Sequence, residues 1–471
     1  MTIPLRVYYM AGAGDVITSF EHWRKGEDDP RITAVAYSSQ FFDVCRELGA
    51  ELWAVSTYPQ PGIVREGGIT VEHRGDPLAG KSGLAYHWAH LSYARQVIAD
   101  IRAFRANVAV VGAEPYPFLL EPLRSMGVNV IAGMHCVLWP KHGGISAARR
   151  SLLKLSADFY RTQCKAILSI SSDVNAQVQD LVGGSSSSIV DFRPLFRKHV
   201  FEALPPPQPR VRPFRVFFAG RVEHNKGVFD LLEVAERLQK EGRSDVEFDL
   251  CGTGAALDEL QSRVSALGLE RSFRLHGYCK QQRIRELLGR SHLVAVPTRS
   301  DFIEGLNKVV VEGVLAGRPV VTSTVCPAVH YVRGAVVEVE PDNPSGYYDA
   351  ICRLADDGEH YAQLQTATHG VAVQFLDDRY SYKSAVRHVL LALREGQTPA
   401  PVSHPPPNAG RAGFGSKRWP AGVSLNHGRT SDPWLRPSQP PRSVPPAAPR
   451  TSDLEPRAPQ LGALRVPARS N

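Results

Sequence analysis

The sequence predicts two doubly wound α/β domains in series, followed by a proline- and arginine-rich tail. Three observations carry this. Short apolar runs alternate with longer amphipathic segments through residues 1–395, a proline-rich break interrupts them at 204–209, and composition changes abruptly at 396. Strands buried on both faces read as continuous apolar runs, and helices between them supply the crossovers of a parallel sheet.

In the first half the strand-like runs are 5–9, 33–37, 51–55, 108–112, 128–132 and 166–170, with helical patterns at 41–48 and 86–104. Leu204-Pro205-Pro206-Pro207-Gln208-Pro209 then suits a connection between domains. The second series has strands at 214–219, 246–250, 272–276, 292–296, 319–323 and 336–339, and helices at 228–241, 256–267, 281–288 and 309–316. A late helix is expected over 375–394. The expected divisions are a Rossmann-like domain at 1–203, a linker at 204–213, a second such domain at 214–374, a helix at 375–395 that packs back on the first domain, and a tail at 396–471. Two such domains facing each other make a cleft, and ligands of these folds sit at the carboxyl ends of the strands.

Composition removes several classes. The 471 residues carry 55 Lys plus Arg and 47 Asp plus Glu. Ten of those basic and three of those acidic residues fall in 396–471, so the first 395 are nearly neutral and no nucleic-acid partner is expected. The tail also holds 16 of the 36 prolines and few aromatic or β-branched residues, which predicts disorder with extended polyproline stretches. No run of about 18 uncharged apolar residues occurs. The opening Met1-Thr2-Ile3-Pro4-Leu5-Arg6 lacks the pattern of a secretory leader. Seven scattered cysteines without a C-x-x-C pair argue against a zinc site or a disulfide framework and fit a reducing cytoplasm.

Three constellations carry chemistry. Gly220-Arg221-Val222-Glu223-His224-Asn225-Lys226-Gly227 follows the 214–219 strand. A guanidinium and an ammonium on one strand-end loop suit a diphosphate, although two solvated cations would look the same. Cys251-Gly252-Thr253-Gly254 follows the next strand; a G-x-G turn lets a backbone approach a ligand closely, and a plain strand-to-helix turn is the equal alternative. The third runs Asp301-Phe302-Ile303-Glu304-Gly305-Leu306-Asn307-Lys308, with Glu312 and then Gly317-Arg318-Pro319-Val320-Val321. A helix starting near 305–307 would put Glu312 about two turns in, so Glu304 and Glu312 could grip two ends of one elongated ligand. Free amides at the helix start would offer positive charge to a phosphate between them. Two solvent-facing acids are the plain reading.

Taken together, Gly-Arg-x4-Lys-Gly, the G-x-G turn and Glu304-x7-Glu312 followed by Gly-x-Pro-Val-Val resemble family 4 of the retaining, nucleotide-sugar-dependent glycosyltransferases. That family has the GT-B arrangement of two facing Rossmann-like domains. The resemblance implies that Arg221 and Lys226 bind and stabilise the donor diphosphate, that Glu304 holds hydroxyls of the transferred sugar, and that Glu312 holds the ribose. It implies that the amides around Gly305, Leu306 and Asn307 meet the distal phosphate, while Lys308 departs from the family pattern. Gly12 and Gly14, after the first strand, fall where the family has a glycine loop near donor and acceptor. The dinucleotide fingerprint fails there, since its third glycine would be Ile17, and an NAD-dependent oxidoreductase is the weak alternative. His135, after the 128–132 run, matches a family histidine beside the donor sugar and would serve in positioning or electrostatic support; a histidine satisfying a core hydrogen bond is the alternative.

The resemblance further implies transfer of a hexosyl group, with retention, to a glycan, lipid-linked or small-molecule acceptor, as in polysaccharide biosynthesis. No Asp-x-Asp occurs, so neither a metal nor another cofactor is expected and the two cations take over the metal's task. The basic amphipathic segment 141–165 suits either a solvated face or peripheral contact with an anionic membrane on the cytoplasmic side. A catalytically silent nucleotide-sugar-binding or scaffold protein on the same fold is the second reading.

Overall fold

The computed structural model describes residues 3–184, 187–208 and 210–404. The tail expected over 405–471 lies outside the described residues. The first series of strands is β1 (Arg6–Met10), β2 (Glu51–Ser56), β3 (Gly62–Glu66), β4 (Ile69–His73), β5 (Val108–Val111), β6 (Asn129–Met134), β7 (Cys164–Ser169) and β8 (Ser188–Asp191). They form one sheet in the order β3-β4-β2-β1-β5-β6-β7-β8, parallel apart from the β3–β4 hairpin. The second series is β9 (Phe214–Ala219), β10 (Val246–Cys251), β11 (Phe273–Leu275), β12 (Leu293–Val296), β13 (Val320–Ser323) and β14 (Val336–Val339). These make a wholly parallel sheet in the order β11-β10-β9-β12-β13-β14. β5 and β12 are buried at every position, which is why they read as unbroken apolar runs.

Each sheet reverses its strand order once, between β1 and β5 and between β9 and β12. Loops leave in opposite directions at such a point and open a crevice at the carboxyl edge. The loops after β9 and β12 therefore flank one crevice, and those after β1, β5 and β6 lie side by side on the other sheet. This is the GT-B fold.

Some elements differ from expectation. The run 33–37 is not a strand: Ala34 makes one bridge to Phe196, and a helix Tyr37–Leu48 begins at once. β1 already has β2 and β5 on its two edges, so the run pairs only with passing backbone, Val35 N donating to Leu195 O at 2.8 Å. The β3–β4 hairpin and β8, absent from the sequence reading, are short edge elements with weak apolar patterns. The late helix spans Tyr382–Arg394, because Ser381 caps it through Ser384 N at 3.1 Å. It lies on the helix Tyr37–Leu48, with the Lys383 ammonium 2.8 Å from Glu47. Residues 397–404, expected as tail, follow the first lobe: Asp191 N donates to Val402 O at 2.8 Å and Val402 N to Ile189 O at 3.0 Å. Val402 thereby covers the edge of β8, which otherwise presents unpaired backbone groups.

Within the expected linker, Pro205 O accepts from buried Arg318 at 2.6 Å and Gln208 O from His292 Nε2 at 3.0 Å. The connection is thus fastened to the second lobe.

Candidate active site

The loop after β9 and the loop after β12 dock on each other. Arg299 N donates to Asn225 O at 2.9 Å, and Gly227, at φ +70°, lies where a Cβ would come 1.9 Å from Pro297 O. No other residue permits that approach. The docking carries Lys226 to Glu304: ammonium and carboxylate stand 3.2 Å apart, each largely shielded from solvent. The same ammonium is 3.4 Å from the centre of the Phe302 ring, and the Arg221 guanidinium is 5.7 Å from it. Arg221 also bonds Glu223 at 2.9 Å. The two cations and the first acid therefore share one face. Phe302, two positions before Glu304, was not singled out by sequence; its signal was an aromatic ring in a polar loop.

Gly252 and Gly254 let two loops of the second lobe meet closely. A Cβ at Gly252 would come 1.7 Å from Gly220 O, and one at Gly254 2.3 Å from Val222 O. Gly220 N donates to Cys251 O and Val222 N to Thr253 O, both at 3.0 Å. The Arg221 loop makes the close approach that these glycines allow.

Asn307 starts the helix Lys308–Leu315 from a left-handed conformation, φ +74°, that asparagine tolerates. Its side-chain oxygen accepts from Val309 N at 3.2 Å and Val310 N at 3.4 Å, while its amide donates to Glu304 Oε2 at 2.9 Å. One side chain thus caps the helix and orients the acid. Those two caps take amides expected to stay free; the backbone N–H groups of Leu306 and Asn307 donate to no group among the described residues. The Leu306 side chain is buried, and its carbonyl accepts from Ala328 N at 2.9 Å. Because the helix begins at Lys308, Glu312 is its fifth residue and lies little more than one turn in, not two. Glu312 accepts a short hydrogen bond from the Thr33 hydroxyl of the first lobe. Burial raises its pKa, against the pull of Thr33 and Lys308.

Gly305 meets the first lobe directly: a Cβ there would lie 1.9 Å from the carbonyl oxygen of His135. The His135 ring packs among Tyr37, Phe192 and Tyr382, with centroids 4.7, 5.3 and 5.5 Å away. Burial first, and Lys308 second, push its pKa down to about 4, so the imidazole is neutral at pH 7. Its Nδ1 is buried without a hydrogen-bond partner among the described residues. Lys308 sets its ammonium 4.7 Å over the Tyr37 ring, and the surrounding walls lower its pKa. Gly12, at φ +71°, and Gly14 have open space where a side chain would go. Asp15, next to them, caps the following helix through Thr18 N at 3.0 Å and pairs with Arg31 at 2.5 Å.

The chain is similar to known proteins over parts of its length. Residues 202–370 match the family Glycosyl transferases group 1. The matched stretch includes Arg221, Lys226, Glu304 and Glu312. Among curated proteins, a 146-residue stretch is 30% identical to the α-D-kanosaminyltransferase of Streptomyces kanamyceticus, covering 31% of this chain and 37% of that one. A 141-residue stretch is 26% identical to the 2-deoxystreptamine N-acetyl-D-glucosaminyltransferase of Niallia circulans, covering 30% and 35%. The chain thus spans little more than a third of the length of these two relatives. Glycogen synthase of Mycobacterium tuberculosis is 22% identical over 57% of this chain and 64% of its own. Among solved structures, Alr3699/HepE of Anabaena in complex with UDP superposes with a TM-score of 0.57 at 14% identity, over 83% of this chain and all of that one. Sucrose-phosphate synthase of Thermosynechococcus elongatus does so with 0.63 at 12%, over the same shares. The chain shares with these two structures the GT-B fold.

Proposed function

We propose that the protein is a glycosyltransferase that moves a hexosyl group from a nucleoside-diphosphate sugar to an acceptor, with retention at the anomeric carbon and without a divalent metal. The observation that carries the reading is the Lys226–Glu304 pair at 3.2 Å, with Arg221 beside the same Phe302 ring at the crevice of a group 1 domain. Breaking the anomeric carbon–oxygen bond leaves positive charge on the sugar and negative charge on the diphosphate. Fixed cations neutralise the leaving group without reorganising at the moment of reaction. Lys226 and Arg221 take that role, Glu304 accepts from sugar hydroxyls, and Glu312 accepts from the ribose. The amides of Leu306 and Asn307 face the distal phosphate, and neutral His135 positions the sugar from the opposite lobe. The acceptor binds at the loops after β1 and β5, near Gly12 and Gly14, and its hydroxyl attacks from the face the diphosphate leaves.

Relatives named for transfer to 2-deoxystreptamine make small aminocyclitols the first acceptors to try, ahead of glycan and lipid-linked ones. Release of free nucleoside diphosphate from UDP-, GDP- and ADP-sugars tests the donor, and proton NMR of the product tests the anomeric outcome. Turnover abolished by EDTA, or an inverted product, would refute the corresponding part. Tight nucleotide binding without release would instead mark a silent binding protein.

The reading places the protein in the cytoplasm. Its helix Ala147–Leu155 has no buried residue and carries Lys154 beside the exposed Leu155, which suits peripheral contact with an anionic membrane, while Arg149 bonds back to the Leu138 carbonyl at 2.9 Å. Co-sedimentation with phosphatidylglycerol vesicles but not with phosphatidylcholine vesicles is the expected result. No helix among the described residues is long and apolar enough to cross a membrane.

A further inference from the structure

The segment 29–37 belongs to the first lobe in sequence but touches the second at three places. Gln281 Nε2 donates to Arg31 O at 3.1 Å, the Thr33 hydroxyl donates to Glu312 Oε1, and the Tyr37 ring lies 4.7 Å beneath the Lys308 ammonium. Both ends of the segment are braced. Arg31 pairs with Asp15 at 2.5 Å and with Asp29 at 2.7 Å, and Val35 N donates to Leu195 O at 2.8 Å. Arg197 reaches the carbonyl of Ile32 at 3.1 Å from the same side. Thr33 itself is buried, so its hydroxyl is held in place and does not sample solvent.

A carboxylate has two oxygens and several acceptor directions. At Glu312 one oxygen is engaged by Thr33, and the neighbouring charge is the Lys308 ammonium on the same helix. We propose that Thr33 is a positioning residue for the nucleotide: by occupying Oε1 it fixes the Glu312 carboxylate and turns Oε2 toward the ribose hydroxyls. The proposal rests on the nucleotide-sugar reading above and deepens it, because it gives the first lobe a part in nucleotide affinity that would otherwise belong to the second. A hydroxyl donor also favours the ionised carboxylate, which burial opposes. Lys308 acts in the same direction from the helix, while Tyr37 and His135 are the other titratable groups facing that ammonium.

The test is equilibrium binding by the full chain of UDP, GDP and ADP, each compared with its 2′-deoxy counterpart, in wild type, Thr33→Val and Thr33→Ser. Valine keeps the shape and removes the donor; serine keeps the donor. For whichever diphosphate the wild type binds, Thr33→Val is expected to raise Kd about tenfold, the loss of one oriented hydrogen bond. The 2′-deoxy form should change less than about twofold, and Thr33→Ser should stay near wild type. The Thr33→Val to wild-type ratio of Kd should widen as pH falls from 8 toward 5.5, since removing the donor lets the Glu312 pKa rise further. Equal binding by Thr33→Val and wild type, or equal losses for the ribo and 2′-deoxy forms, would overturn the proposal alone. Failure of the wild type to bind any of the three diphosphates would overturn the nucleotide-sugar reading and the proposal with it.

Discussion

Lys226 holds its ammonium between the Glu304 carboxylate and the face of Phe302. If that charge meets the leaving diphosphate, Lys226→Ala should lower kcat/KM roughly 10²-fold, about 3 kcal/mol, read by nucleotide release. A variant within twofold of wild type would place the phosphates elsewhere. Gly305 is as exacting for a steric reason. Its absent side chain lets the second lobe meet the His135 carbonyl, so Gly305→Ala should cost at least as much activity while each lobe keeps its own core. His135 makes a prediction about pH. Its pKa is depressed to about 4 in the fold, against 6.5 for the free side chain. Between those values the unfolded chain binds the extra proton, so stability is full above about 6.5 and falls as pH drops toward 4. Melting temperature should decline over that window, and His135→Phe should flatten the decline.

At the scale of elements, two glycines and one arginine set where the loops lie. Gly252 lets the turn after β10 seat against Gly220, and the Arg221 loop rests on it. Gly252→Ala should therefore weaken donor binding and lower the melting temperature together. Arg318 belongs to the Gly-x-Pro-Val-Val string that marks the resemblance, yet its work is structural. Buried, with its pKa pushed down to about 10, it donates to the carbonyls of Pro205, Gly289, Ser291 and Ala316. Arg318→Met leaves those acceptors unpaired and should destabilise the second lobe by roughly 3 kcal/mol or more, seen in denaturant unfolding. The elements that escaped the sequence reading, the β3–β4 hairpin and β8, sit at sheet edges. Edge strands need no continuous apolar run, so they leave little pattern to read.

For the whole molecule, the lobes are joined by more than the linker. Asp173 on the first lobe pairs with His330 on the second at 3.0 Å and with Lys141 at 3.0 Å, and Ser172 N donates to Tyr331 at 2.6 Å. The helix Tyr382–Arg394 returns to the first lobe, and residues 397–404 continue along β8. This divides the C-terminal residues into two parts with different consequences. Truncation after His404 should leave nucleotide release within about twofold of the full chain. Truncation after Gly396 uncovers the β8 edge and should lower the melting temperature by several degrees and promote association.

Sequence alone determined the alternation of strands and helices, the two series of strands, and the loops that carry Arg221, Lys226 and Glu304. These are local matters: apolar runs, glycines and charges at strand ends leave their mark within a few residues. Tertiary structure decided what depends on distant segments meeting. Lys226 and Glu304 are 78 positions apart, and Thr33 and Glu312 are 279 apart. No periodicity encodes such pairs: the first arises where two loops at the carboxyl edge of one sheet dock on each other, the second where a segment of the first lobe reaches a helix of the second. The same holds for Gly252, Gly254 and Gly305. A glycine in a string says that something approaches closely, and only the packed molecule says whether it is a ligand or another stretch of the chain.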